Sequence, residues 1–102
     1  MIHVIATIEL TAGNRDAFLA EFRKLVPLVL AEEGCIDYGP AVDVPTEIGA
    51  QLPLRENVVT VVERWESLAA LNQHLVAPHM VTYRETVKTL VAGTTLQVLE
   101  PA

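Results

Sequence analysis

His74 and His79 stand on either side of the dipeptide Ala77-Pro78, in a chain otherwise poor in groups that carry chemistry. An imidazole accepts a proton near neutral pH, so two of them suggest proton abstraction from a weakly acidic substrate. Pro78 suits the first position of a helix, which places His79 at the second. There the positive end of the helix dipole disfavours imidazolium and keeps a neutral base. The structural alternative is that His79 only fixes the break between helices. His74 has Leu71 and Leu75 as helical neighbours. It is either a second candidate base or an imidazole satisfied by a backbone carbonyl.

Glu63 and Trp65 occupy alternate positions of one strand and face the same side. In a valine-rich strand, Glu63 is either paired with Arg64 or Arg84 at the surface, or buried and able to take a proton. Trp65, the single tryptophan, is a core residue or the wall of a ligand pocket. Tyr38 and Tyr83 supply phenols and join Trp65 as candidate substrate contacts. Cys35 reads as a small buried residue, and His3 as structural.

These side chains need elements to hold them. Ile2 to Leu10 alternates with period two and predicts a strand with a mixed second face. Thr11 to Asn14 is a turn with Asn14 as N-cap. From Arg15 to Glu33 the stripe Phe18, Phe22, Leu25, Val29 predicts a helix, bent at Pro27 and ended by Gly34 as its C′ residue. Cys35 to Val44 reads as a strand with Ile36, Tyr38, Val42 and Val44 on one face. Pro40 confines it to a sheet edge or a bulge. Pro45 to Asn57 is a long loop, Val58 to Glu66 a third strand. Ser67 then caps a short helix carrying Leu68, Leu71 and Leu75. Pro78 opens another helix, with Met80, Tyr83, Val87 and Leu90 in register and Gly93 as its stop. Thr94 to Glu100 is the last strand. The order is β-α-β-β-α-β with the second helix broken: an α+β, ferredoxin-like fold with a four-stranded antiparallel sheet and helices on one face.

The chain has 102 residues, enough for one domain, 1–102. Hydrophobic residues make up 51%, more than one compact core of this size absorbs. Two sheets packed through their uncovered faces would take up the excess, so a homodimer is expected. Seven basic against thirteen acidic residues give a net charge of −6, which argues against nucleic acid and anionic membranes as partners. The longest apolar stretch, Leu25 to Ala31, is far below the roughly 20 residues of a membrane span. Met1-Ile2-His3 starts nothing like a signal peptide, and the lone Cys35 makes no internal disulfide. The expected location is the cytoplasm. No G-x-G-x-x-G, Walker A, H-E-x-x-H or G-x-S-x-G motif is present, so no nicotinamide, flavin, ATP or zinc is expected.

Glu32-Glu33-Gly34-Cys35 with Tyr38 resembles the E-G-C-x-x-Y segment of the antibiotic biosynthesis monooxygenase family. Val62-Glu63-Arg64-Trp65-Glu66-Ser67, Ala70-Leu71, His74-Leu75 and Pro78-His79-Met80 extend the resemblance over nearly the whole chain. Tyr38 to Asp43 and the loop after it look most like the quinol monooxygenase branch. The resemblance implies a dimeric α+β barrel, a pocket between sheet and helices in each subunit, and oxidation of a hydroxylated aromatic by O₂ with no cofactor and no metal. Trp65, Glu63, His74, His79 and Tyr38 match the family's usual pocket positions. The haem-degrading members use an Asn on the first strand, where this chain has Thr7, so haem degradation does not fit.

A deprotonated quinol is electron-rich enough to reduce O₂ directly. The protein then has to bind a planar ring, for which Trp65 and the valines serve. It has to remove a phenolic proton, for which His79 or His74 serves with Glu63 as orienter, and to exclude water. Two alternatives remain: an isomerase of a small phosphorylated dione, disfavoured by the scarcity of Lys and Arg, and a non-catalytic dimeric module that binds a small ligand.

Overall fold

The computed structural model describes all 102 residues. Seven elements follow one another: β1 (Ile2–Leu10), α1 (Arg15–Leu30), β2 (Cys35–Ala41), β3 (Val58–Trp65), α2 (Leu68–Leu75), α3 (Pro78–Val87) and β4 (Val91–Leu99). The strands form one antiparallel sheet in the order β2-β3-β1-β4. This is the expected ferredoxin-like α+β arrangement, with β2 at an edge as Pro40 requires.

Period-two alternation decides which residues face the helices. Val4, Ala6 and Ile8 of β1 stand opposite Glu63, Val61 and Val59 of β3, and all six are buried. Phe18, Phe22, Leu25 and Val29 form the buried stripe of α1 that closes over them. Each such side chain removed from water stabilises the fold by about 1.5–3 kcal/mol before conformational entropy is counted. The uncovered face of the sheet presents the cross-strand row Thr60, Thr7 and Thr95 beside the row Val62, Ile5 and Gln97. It mixes polar and apolar side chains.

Several boundaries differ from the sequence expectation. Helix α1 runs through Pro27 and ends at Leu30 with Ala31 as its C-cap, so Gly34 is not its C′ residue. Gly34 instead closes the turn that follows, at φ +83. A Cβ there would meet Ala70 Cβ at 2.5 Å, so only glycine lets this turn lie against α2. Strand β2 stops at Ala41 rather than Val44, because Ala41 is the last residue with a partner on β3. A register shift between Cys35 and Asp37 turns Ile36 outward while Tyr38 stays buried, so the two do not share a face. Cys35 is only half-buried.

Asn14 precedes α1 but makes no capping bond; its side chain donates to Thr11 Oγ1 at 2.6 Å instead. Helix α3 ends at Val87, and Leu90 N–H closes a turn on Val87 O. Gly93 therefore lies inside β4, opposite Glu9, and stops nothing. Ser67 does cap α2, accepting from Ala70 N–H at 3.1 Å, and Pro78 does open α3.

Candidate active site

A cavity of about 390 Å³ lies between sheet and helices. Its floor is Ala6, Ile8, Tyr38, Val61, Glu63, Thr94 and Leu96, one or two residues from each strand. Its roof is His74 and Leu75 of α2 with Met80, Tyr83 and Arg84 of α3. The size and the apolar walls with a few polar groups are those of a small-molecule site. The helix break at Ala77-Pro78 lets α2 and α3 each contribute a wall.

His74 is 1% exposed. Its ring lies 4.6 Å from the Trp65 ring, centroid to centroid, and 5.4 Å from that of Tyr38. Its Nδ1 is 2.9 Å from Glu32 Oε2. No backbone carbonyl satisfies it, contrary to the structural alternative drawn from the sequence. Every buried side-chain nitrogen or oxygen has a hydrogen-bond partner, while His74 Nε2 has none within the chain. That atom must therefore reach open space, and the cavity is the space His74 lines. Burial holds its pKa below the ordinary histidine value, although the Glu32 carboxylate pulls the other way. A neutral imidazole with its lone pair toward an apolar cavity can act as a base.

Glu63 is 5% exposed and pairs with neither arginine. Arg64 reaches Asp37 on the outer face, and Arg84 donates to Leu75 O at 2.7 Å. The reason is alternation: Glu63 faces the helices and Arg64 the opposite side. Trp65 Nε1–H donates to Glu63 Oε1 at 2.9 Å. Burial pushes the Glu63 carboxyl up to about 7, against the opposing pull of that hydrogen bond. Glu63 makes no hydrogen bond to either histidine, both of which bond Glu32 instead.

The other expected residues divide. Tyr38 and Tyr83 line the cavity, and burial raises both phenols above their ordinary range, so they stand as neutral donors. Trp65 is 0% exposed and does not line it; the indole is wedged behind, against His74 and Glu63. His79 also lies outside the cavity. It faces a groove between α1 and α3 with Lys24, Leu28 and Thr82, and its Nε2 is 2.7 Å from the same Glu32 Oε2.

Sequence reasoning gave no role to Glu32. The residue that joins the two histidines stands in the turn between α1 and β2, 42 positions from His74 and 47 from His79. Its only local signal was its place before Gly34 in the Glu-Glu-Gly segment. The single cysteine is quiet: burial first, then the nearby carboxylates, push the Cys35 thiol up to about 11. No three His, Cys, Asp or Glu side chains are grouped to hold a metal ion, and no helix is long and apolar enough to cross a membrane.

A single sheet with split helices and a cavity under them is a framework shared with many solved structures. The antibiotic biosynthesis monooxygenase family profile matches residues 1–86, and the chain belongs to that family of enzymes. It is 42% identical to the probable quinol monooxygenase YgiN of Escherichia coli K12, over 99% of this chain and 98% of that one. Rv0793 of Mycobacterium tuberculosis superposes with a TM-score of 0.80 at 25% identity, covering 99% of this chain and 94% of the other. A conserved protein of Methanosarcina mazei Go1 shares the fold with a TM-score of 0.83 at 22% identity, over 99% and 92% of the two chains.

Proposed function

We propose that this enzyme uses O₂ to oxidise a small hydroxylated aromatic, a quinol of naphthoquinol type, with no metal or organic cofactor. The observation that carries the reading is the apolar cavity with one imidazole nitrogen free to face it and a protonatable carboxyl on its floor. The similarity to YgiN supports the substrate class. Arg84 is the one cation in the lining, and its guanidinium already serves Leu75 O. A phosphorylated dione finds little to hold its phosphate there.

In this reading the planar ring lies among Ile8, Val61, Met80 and Leu96, with Tyr38 and Tyr83 donating to its oxygens. His74 Nε2 takes a phenolic proton: an O–H bond breaks and an N–H bond forms. The quinolate passes one electron to O₂, and the low-polarity walls keep water from the radical pair. Transfer of the second electron, with two protons going to the reduced oxygen, yields quinone and H₂O₂. Insertion of one oxygen atom into the ring, with water as the other product, begins with the same proton abstraction. Neutral Glu63 is placed to donate to an oxygen that becomes negative. His79 acts from outside the cavity. The enzyme works as a homodimer in the cytoplasm, its subunits packed through the uncovered faces of their sheets, where the exposed Val62 and Leu99 gain cover.

Oxygen uptake with menadiol, against an anaerobic control and with metal analysis of the same sample, tests this. Enzyme-dependent uptake without stoichiometric metal, and with quinone formed, is expected; the H₂O₂ yield separates oxidase from monooxygenase. Uptake no faster than the uncatalysed reaction across a panel of quinols would refute it.

A further inference from the structure

Glu32 lines no part of the cavity, yet one of its oxygens lies 2.9 Å from His74 Nδ1 and 2.7 Å from His79 Nε2. An ionised carboxylate has no proton to give, so each nitrogen facing it must carry one. For His74 this leaves the lone pair on Nε2, the nitrogen open to the cavity. The reverse tautomer would set a lone pair against the carboxylate and turn an N–H toward the substrate, where it could accept nothing.

The position of Glu32 is built, not incidental. Its N–H donates to Val29 O at 2.9 Å, and Cys35 N–H donates to its carbonyl at 3.2 Å. Glu66 N–H bonds Gly34 O at 2.8 Å, and Gly34 sits against Ala70. The turn is thereby tied to both β3 and α2, the elements that carry Glu63 and His74. Trp65 and Tyr38 confine the ring of His74 from two sides. His79 approaches the same oxygen from the outer groove and holds the carboxylate in place.

We propose that Glu32 is the positioning residue of this site: it fixes His74 as the Nδ1–H tautomer and offsets the charge while His74 holds the substrate's proton. His79 is its anchor. The same division of labour orients the base in acyl-transfer triads. The proton taken at Nε2 returns to the reduced oxygen, so nothing is lost to solvent over a turnover. The kinetic part rests on the function proposed above; the tautomer does not.

The test therefore has two arms. ¹⁵N NMR of the imidazoles in the free protein at about pH 8 should show His74 with a protonated Nδ1 and a bare Nε2. Glu32→Ala should lose that preference. A wild type with Nε2–H, or an unchanged tautomer in Glu32→Ala, would overturn the proposal. In O₂ uptake with menadiol, Glu32→Ala should lower kcat by about 10²-fold with little change in KM, and Glu32→Gln by less, since the amide oxygen still accepts a hydrogen bond.

The charged and titratable groups acting on His74 are Glu32, His79 and Arg84, with Glu63, Tyr38 and Tyr83 sharing its cavity. Glu32 raises the His74 pKa, so its neutralisation in Glu32→Gln should move the acid limb of kcat to lower pH. A purely structural Glu32 would leave that limb in place, and an unmoved limb in an active, folded Glu32→Gln overturns the proposal. An inactive wild type that shows the Nδ1–H tautomer retracts the quinol reading and supports the assignment of Glu32.

Discussion

The helix-facing side of the sheet has two flanks beside β1, and they end differently. On β3, Val59, Val61, Glu63 and Trp65 are all buried. On β4, Leu96 and Val98 face the same way, opposite Ala6 and Val4, yet they are 45% and 43% exposed. Alternation sets the side to which a residue points; only the helices decide whether it is covered. The helical layer seals the β3 flank and leaves β4 open. The cavity sits at the seam, with Val61 and Glu63 on its sealed side and Thr94 and Leu96 on its open side. The cavity there has one wall sealed by the helices and one left open at β4.

The sealed flank can be broken at Trp65. Trp65→Ala should cost about 3–5 kcal/mol, the usual range for emptying a large buried site, as read by urea unfolding. Glu63 loses its donor at the same time. A loss below about 1 kcal/mol would mean that this flank is not closely packed.

Glu63→Gln sharpens the contrast through pH. The folded-state carboxyl titrates near 7, above its unfolded value of 4.5, so the folded state binds the proton more tightly. Glu63 therefore costs no stability below about pH 4.5, a growing amount as pH rises toward 7, and the full amount above. Glu63→Gln keeps the oxygen that accepts from Trp65 and should stabilise the protein by about 2–4 kcal/mol at pH 8 and by almost nothing at pH 4. Equal melting shifts at both values would show that Glu63 is not desolvated.

On the open flank the effect should be smallest. Leu96→Thr or Val98→Thr should change the stability of a single subunit by no more than about 0.5 kcal/mol. A larger loss that grows with protein concentration in thermal melts would show that another copy covers β4 in solution.

The contrast also explains what could be read in advance. The strands and the stripe of α1 were legible, because period two and period 3.6 are properties of neighbouring residues. The caps at Ser67 and Pro78 followed from local chemistry, whereas the valines around Glu63 left both a surface ion pair and burial open. The end of α1, the outward turn of Ile36 and the start of β4 were not legible. Each depends on partners elsewhere: Ala70 beneath Gly34, and the pairing of β2 with β3 and of β4 with β1. The same holds for the site. Its residue types were visible, but which histidine faces the cavity, and that Glu32 joins them, are facts of long-range packing. The helix dipole at Pro78 points to His79, and nothing local to either histidine reveals that the cavity is lined by His74.

The most direct test of the account compares His74→Ala with His79→Ala in O₂ uptake with a naphthoquinol, over about pH 5 to 9. The free Nε2 of His74 predicts a fall in kcat of about 10²–10⁴-fold for His74→Ala, with KM nearly unchanged, and a far smaller fall for His79→Ala. Wild-type kcat should hold down to a pH below the ordinary histidine value of about 6.5 and then drop, because burial depresses the pKa of His74. If His79→Ala is the more damaging change, or if both variants keep near wild-type kcat throughout, His74 is not the base.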